Sequence, residues 1–173
     1  MKLEPRNESE FRDEVRDGLM RAFPGRCLFQ ITHSVSGEPD TYIRIADVSF
    51  RAEFKFTTKP FQTIRSIEDI WKMLRKIQQV TILNMAARGE LIYVVVCCGG
   101  NEAPWFRIDG RQAIRALAGK APAYTVLALE RLSERRMGAW SSGLDWGDDM
   151  PEKKSLARHL LTRLPNGFRS RPA

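Results

Sequence analysis

A chain of 173 residues, 43% hydrophobic and 28% charged, has the size and composition for one globular domain with a modest appendage. Its 28 lysines and arginines outnumber its 21 acids, and a net charge of +7 suits a polyanionic partner. No apolar run approaches the roughly 20 residues that span a bilayer, so no membrane association is expected.

The opening MKLEPRNESE is polar and partly acidic, unlike a signal peptide. Cys27, Cys97 and Cys98 are odd in number and two are adjacent, which fits neither a disulfide framework nor a zinc site. Reduced thiols and a cytoplasmic location are therefore expected.

From Glu8 to Phe23, Phe11, Val15 and Leu19 recur at helical spacing among charged positions, with Asn7 or Ser9 as N-cap. Pro24-Gly25 ends this helix, and Cys27–Ile31 reads as a strand leading to His33-Ser34. Gly37-Glu38-Pro39 forms a turn that places Asp40 at the mouth of a strand over Thr41–Ile45. Ala46-Asp47 connects to a returning strand over Val48–Lys55. Strand alternation sends Glu53 and Lys55 to one face and Ala52, Phe54 and Phe56 to the other.

Such a hairpin brings Asp40 toward Glu53 and Lys55. Two converging carboxylates make a hard-oxygen site suited to Mg²⁺ or Mn²⁺, completed by waters and a phosphate oxygen. A lysine beside it can hold an attacking water or stabilise a pentavalent phosphate, so the spacing proposes metal-assisted phosphodiester hydrolysis.

Pro39-Asp40, a short gap and Glu53-Phe54-Lys55 resemble the PD-(D/E)XK nuclease motif. Gly37-x-Pro39-Asp40 further resembles the Holliday junction resolvase and virus-type replication–repair branches. The resemblance covers roughly residues 8–98 and implies a restriction-endonuclease-like α/β fold, a mixed sheet flanked by helices in the order αβββαβ. It implies metal ligands at Asp40, Glu53 and the Phe54 main-chain carbonyl, with Lys55 positioning water. A glutamate on the first helix often completes the cluster in this family. That role falls to Glu10, with Glu14 second. Ser34 or Ser36 is a candidate phosphate contact, although such residues are common turn formers.

Thr57 to Phe61 reads as a loop whose Lys59 can meet a phosphate. Ser66 then caps a long helix with Glu68 and Asp69 in its first turn, ending at Arg88-Gly89. Gln78 falls on its apolar stripe with Ile67, Trp71, Leu74, Ile82 and Met85, where a polar side chain needs partners. Some branches of the family carry a glutamine here, facing the metal, which implies support of Lys55 or the water. Lys72, Arg75 and Lys76 form a basic cluster able to track a nucleic-acid backbone or simply to face solvent.

Leu91–Cys98 is a near-continuous apolar run expected of a central strand buried on both faces, and the crossover from the preceding strand favours parallel pairing. Residues 105–108, a helix over 111–117 and a strand over 124–129 should extend the sheet. Residues 1–130 thus form the nuclease-like domain, and residues 131–173 a loop and basic C-terminal arm. In that arm Trp140 and Trp146 are read as anchors of the tail. Lys153, Lys154 and Arg158 offer phosphate contacts, beside leucines at helical spacing.

The expected function is a Mg²⁺- or Mn²⁺-dependent DNA endonuclease, active on branched DNA as a homodimer, in a bacterial or phage-infected cytosol. A restriction-type or replication–repair nuclease is the close rival. The alternative from another class is a non-catalytic DNA-binding or assembly protein with the same fold.

Overall fold

The computed structural model describes residues 5–32, 36–45, 48–64, 66–99 and 103–130. Ser34, Trp140, Trp146, Lys153, Lys154 and Arg158 lie outside the described residues.

A first helix, α1 (Glu8–Ala22), is capped by the Asn7 side chain, which accepts the Glu10 N–H at 2.9 Å. Among the described residues six strands follow: β1 (Cys27–Ile31), β2 (Thr41–Ile45), β3 (Val48–Pro60), β4 (Ile92–Gly99), β5 (Trp105–Ile108) and β6 (Leu127–Glu130). They form one sheet in sequence order, with β3 and β4 parallel and every other neighbouring pair antiparallel. The β3–β4 crossover carries α2 (Ile67–Trp71) and α3 (Lys76–Ala87), and α4 (Gly110–Leu117) precedes β6. The protein is thus α/β, a six-stranded mixed sheet flanked by helices.

Two apolar cores hold these layers together. On one face, Phe11, Val15 and Leu19 of α1 bury against Ile43, Phe50, Ala52, Phe54, Tyr93, Val95 and Trp105. On the other, α2, α3 and α4 bury Ile70, Trp71, Ile82, Met85 and Ala113 against Ile92, Val94, Val96, Cys98, Phe106 and Ile108. As its composition predicts, β4 is buried on both sides from Ile92 to Cys98. Among the described residues, the second core includes none of β1, β2 or β3.

Three expectations are corrected. The single helix after Ser66 is two: Arg75 is extended, and the Gln79 side chain donates to the carbonyls of Trp71 and Leu74, both at 3.1 Å. A side chain thus replaces the helical partners that a continuous helix would have supplied. Strand β3 runs on to Pro60 where a loop is expected from Thr57, because the pairing with β4 resumes at Pro60 opposite Gly99 after an irregularity. Residues 123–126 form a 3₁₀ turn, so β6 begins only at Leu127. The Pro122 carbonyl accepts both the Thr125 N–H and its hydroxyl, which tightens that turn. Among the described residues, no helix is long and apolar enough to cross a membrane.

Candidate metal centre

The β2–β3 register pairs Thr41 with Ala52. Carried one residue further, it sets Asp40 across from Glu53, and the Asp40 N–H donates to Glu53 Oε2 at 3.2 Å. The Asp40 carbonyl accepts the Thr32 N–H at 2.6 Å, tying this corner to the end of β1. As alternation predicts, Ala52 and Phe54 face the α1 core while Glu53 and Lys55 share the opposite side.

Glu53 is the most buried acid of the site, at 2% exposure. A buried carboxylate requires donors or cations around it, and this one has them. Its Oε1 accepts from Lys55 Nζ at 2.9 Å and from Gln78 Nε2 at 2.7 Å. The Gln78 carbonyl oxygen in turn accepts the Arg75 N–H at 2.9 Å, at the start of α3. Gln78 therefore supports Glu53 and, through it, Lys55.

Asp40 is held by two other groups. Thr41 Oγ1 donates to its Oδ1 at 2.9 Å, and Arg12 Nη1 to its Oδ2 at 2.8 Å. Arg12 comes from α1 and is largely buried, as is its Nε, which has no hydrogen-bond acceptor among the described residues.

The third acid is Glu8, the first residue of α1. One carboxylate oxygen from each of Glu8, Asp40 and Glu53 lies within 4.8 Å of the others. Burial raises the Glu8 pKa; Lys55 opposes this, the neighbouring Glu53 and Asp40 add to it, and Arg12 opposes it more weakly. Glu10 does not join the cluster. Its carboxylate takes the Arg6 backbone N–H and side chain, both at 2.9 Å, and these bonds lower its pKa. Glu14 is not among the converging carboxylates either. Glu8 stands seven residues before Val15, two helical turns along the buried stripe, and that spacing is the signal that marks it.

The side chains of the remaining basic candidates stand apart from this network. Lys59 is exposed near the end of β3; Lys72 is exposed and pairs with Glu68 at 3.3 Å; Arg75 and Lys76 are exposed where α3 begins. Ser36 is held by its carbonyl, which accepts Thr81 Oγ1 at 2.7 Å. Gly37 (φ +84°) packs so closely on α3 that a Cβ there would stand 2.6 Å from the Ile77 carbonyl oxygen. The loop before Asp40 is thus clamped to the helix that carries Gln78. Cys27, half-buried, has its thiol pushed up to about 11 by burial, which leaves it protonated and a poor nucleophile at neutral pH.

Three carboxylates with two cations and a buried amide around them present an all-oxygen acidic face. Oxygen donors of this kind are the ligand type that a hard divalent cation takes. In comparisons with known proteins, the chain matches no family model, no curated protein and no solved structure.

Proposed function

We propose that the chain is a Mg²⁺- or Mn²⁺-dependent DNA endonuclease of the PD-(D/E)XK, restriction-endonuclease-like class. The observation that carries this is the buried Glu53, which holds Lys55 at 2.9 Å while standing across the hairpin from Asp40. The order αβββαβ, with three antiparallel strands and a parallel fourth, supports it.

Charge balance supports it as well. With Glu8, Asp40 and Glu53 ionised, Lys55 and Arg12 leave the cluster one negative charge in excess. A divalent cation reverses that sign, and one phosphodiester restores neutrality. Glu8, Asp40 and Glu53 would hold the cation, with the Phe54 carbonyl as a further ligand. When bound, the cation would lower the pKa of its water and neutralise charge developing on the phosphoryl oxygens.

The chain's own residues do the rest. Lys55 donates a hydrogen bond to the attacking water or to a non-bridging phosphate oxygen, and Glu53 holds its ammonium in place. Gln78 keeps Glu53 oriented. Arg12 aligns Asp40 from the α1 side. Within this class we place the substrate among branched DNAs, on small size and basic charge; resolving a junction takes two active sites, hence a homodimer, and the three cysteines fit a reducing cytoplasm.

One observation favours a second reading, a DNA-binding protein that cuts nothing. Arg12 and Lys55 already pair with Asp40 and Glu53, as in a structural ion network. Metal-dependent cutting of DNA by wild type, lost in Lys55→Ala, separates the two.

A further inference from the structure

The helices cover the second face of the sheet unevenly. Among the described residues, their core takes residues of β4, β5 and β6 and none of β1, β2 or β3. The Asp40/Glu53 pair therefore stands at the border between a covered and an open half of that face.

The strand register defines what the open half presents. Gln30, Tyr42 and Arg51 lie side by side across β1, β2 and β3, and Leu28, Arg44 and Ser49 form the next row. Their neighbours Phe29, Ile43, Phe50 and Ala52 point the other way, into the α1 core. Leu28, Gln30 and Arg44 are exposed, and Tyr42, Ser49 and Arg51 half-buried. Tyr42 is fixed by its hydroxyl, which donates to Ser49 Oγ at 2.8 Å. Arg51 pairs loosely with Glu38 at 3.6 Å, and Arg44 makes no ion pair among the described residues.

These two rows hold two arginines, an aromatic ring and no acid. They lead straight away from the carboxylates, with Arg44 about 13 Å along β2 from Asp40. Cations in line with a fixed aromatic ring suit a nucleic-acid strand: the arginines meet phosphates and the ring takes a base or sugar. The net charge of +7 has the same sign.

We propose that the open half-face of β1–β3 is the track for the DNA strand whose scissile phosphate reaches the Asp40/Glu53 site, with Arg44 and Arg51 on flanking phosphates and Tyr42 stacked between them. This deepens the nuclease reading and rests on it for the position of the scissile phosphate. Binding to the face is nevertheless measurable without cleavage.

The test is fluorescence anisotropy of a labelled DNA flap substrate in EDTA across a salt series. It uses wild type, Arg44→Ala, Arg44→Lys and, as a distant exposed control, Arg115→Ala on α4. Parallel reactions with Mg²⁺ are read on gels. Arg44→Ala should weaken binding severalfold and lower the salt slope by about one, Arg44→Lys should keep the slope, and Arg115→Ala should match wild type. Binding by Arg44→Ala equal to wild type, an equal loss in Arg115→Ala, or no DNA binding by wild type would each overturn the track. The predicted Arg44 effect without any cutting in Mg²⁺ would uphold the track and remove the nuclease reading instead.

Discussion

Gln78 faces Glu53 with its amide orientation fixed: the carbonyl oxygen accepts the Arg75 N–H at 2.9 Å, so the NH₂ must point at the carboxylate, 2.7 Å away. The side chain that caps the start of α3 is therefore the one that holds the buried acid. Gln78→Ala removes both bonds and should cost about 1–3 kcal/mol in urea unfolding. Gln78→Glu retains an acceptor for Arg75 but sets two carboxylates together. Its deficit against wild type should grow from pH 4 to pH 7, whereas the Gln78→Ala deficit should vary less over that range.

The Arg12–Asp40 pair is mostly buried, with side-chain exposures of 16% and 26%. Arg12→Met leaves Asp40 without its cation and should destabilise the protein by about 2 kcal/mol without metal. Added Mg²⁺ should recover part of that loss, because a cation at Asp40 replaces the missing charge. Thermal melting with and without Mg²⁺ reads both effects, and Asp40→Asn in the Arg12→Met background should abolish the recovery.

Gly37 is a sensitive point of the loop. Its φ of +84° disfavours an L side chain, and a Cβ would press on the Ile77 carbonyl. Gly37→Ala should cost at least about 2 kcal/mol. Because the loop leads directly into Asp40, Mg²⁺ affinity by calorimetry should fall as well, at temperatures where the variant stays folded.

Glu8 gives the site a pH dependence of its own. Its pKa is raised in the fold, so between the unfolded and folded values the native state binds more protons than the unfolded one. Stability from this group therefore falls as pH rises through that window, and the deficit persists above it. Glu8→Gln removes the effect: its melting temperature should gain on wild type from pH 4 to pH 7 without metal. Saturating Mg²⁺ should reverse the order at pH 7, since wild type alone keeps the third carboxylate.

Much of this was legible where structure is local. Alternation over Val48–Lys55 assigns Glu53 and Lys55 to one face, and a glutamine on an apolar stripe marks Gln78 as needing a partner. The antiparallel hairpin, the parallel β4 and the doubly buried β4 run follow from the same patterns. What the residue pattern concealed depends on side chains meeting across the fold. Glu10 and Glu8 are both first-turn acids of α1; Arg6 captures the one, and the buried stripe carries the other inward. Arg12 reads as one more charge on a polar face, because its partner lies 28 residues away. The break between α2 and α3 is made by Gln79 reaching back to Trp71 and Leu74, a contact no propensity encodes.

The most direct test incubates purified wild type and Lys55→Ala with linear duplex, single strand, flap and four-way junction DNA, each with Mg²⁺, Mn²⁺ or EDTA. Cutting by wild type that requires the metal and disappears in a folded Lys55→Ala protein is the predicted result, strongest on a branched substrate. Wild type that binds these DNAs but leaves every one intact in both metals would contradict it.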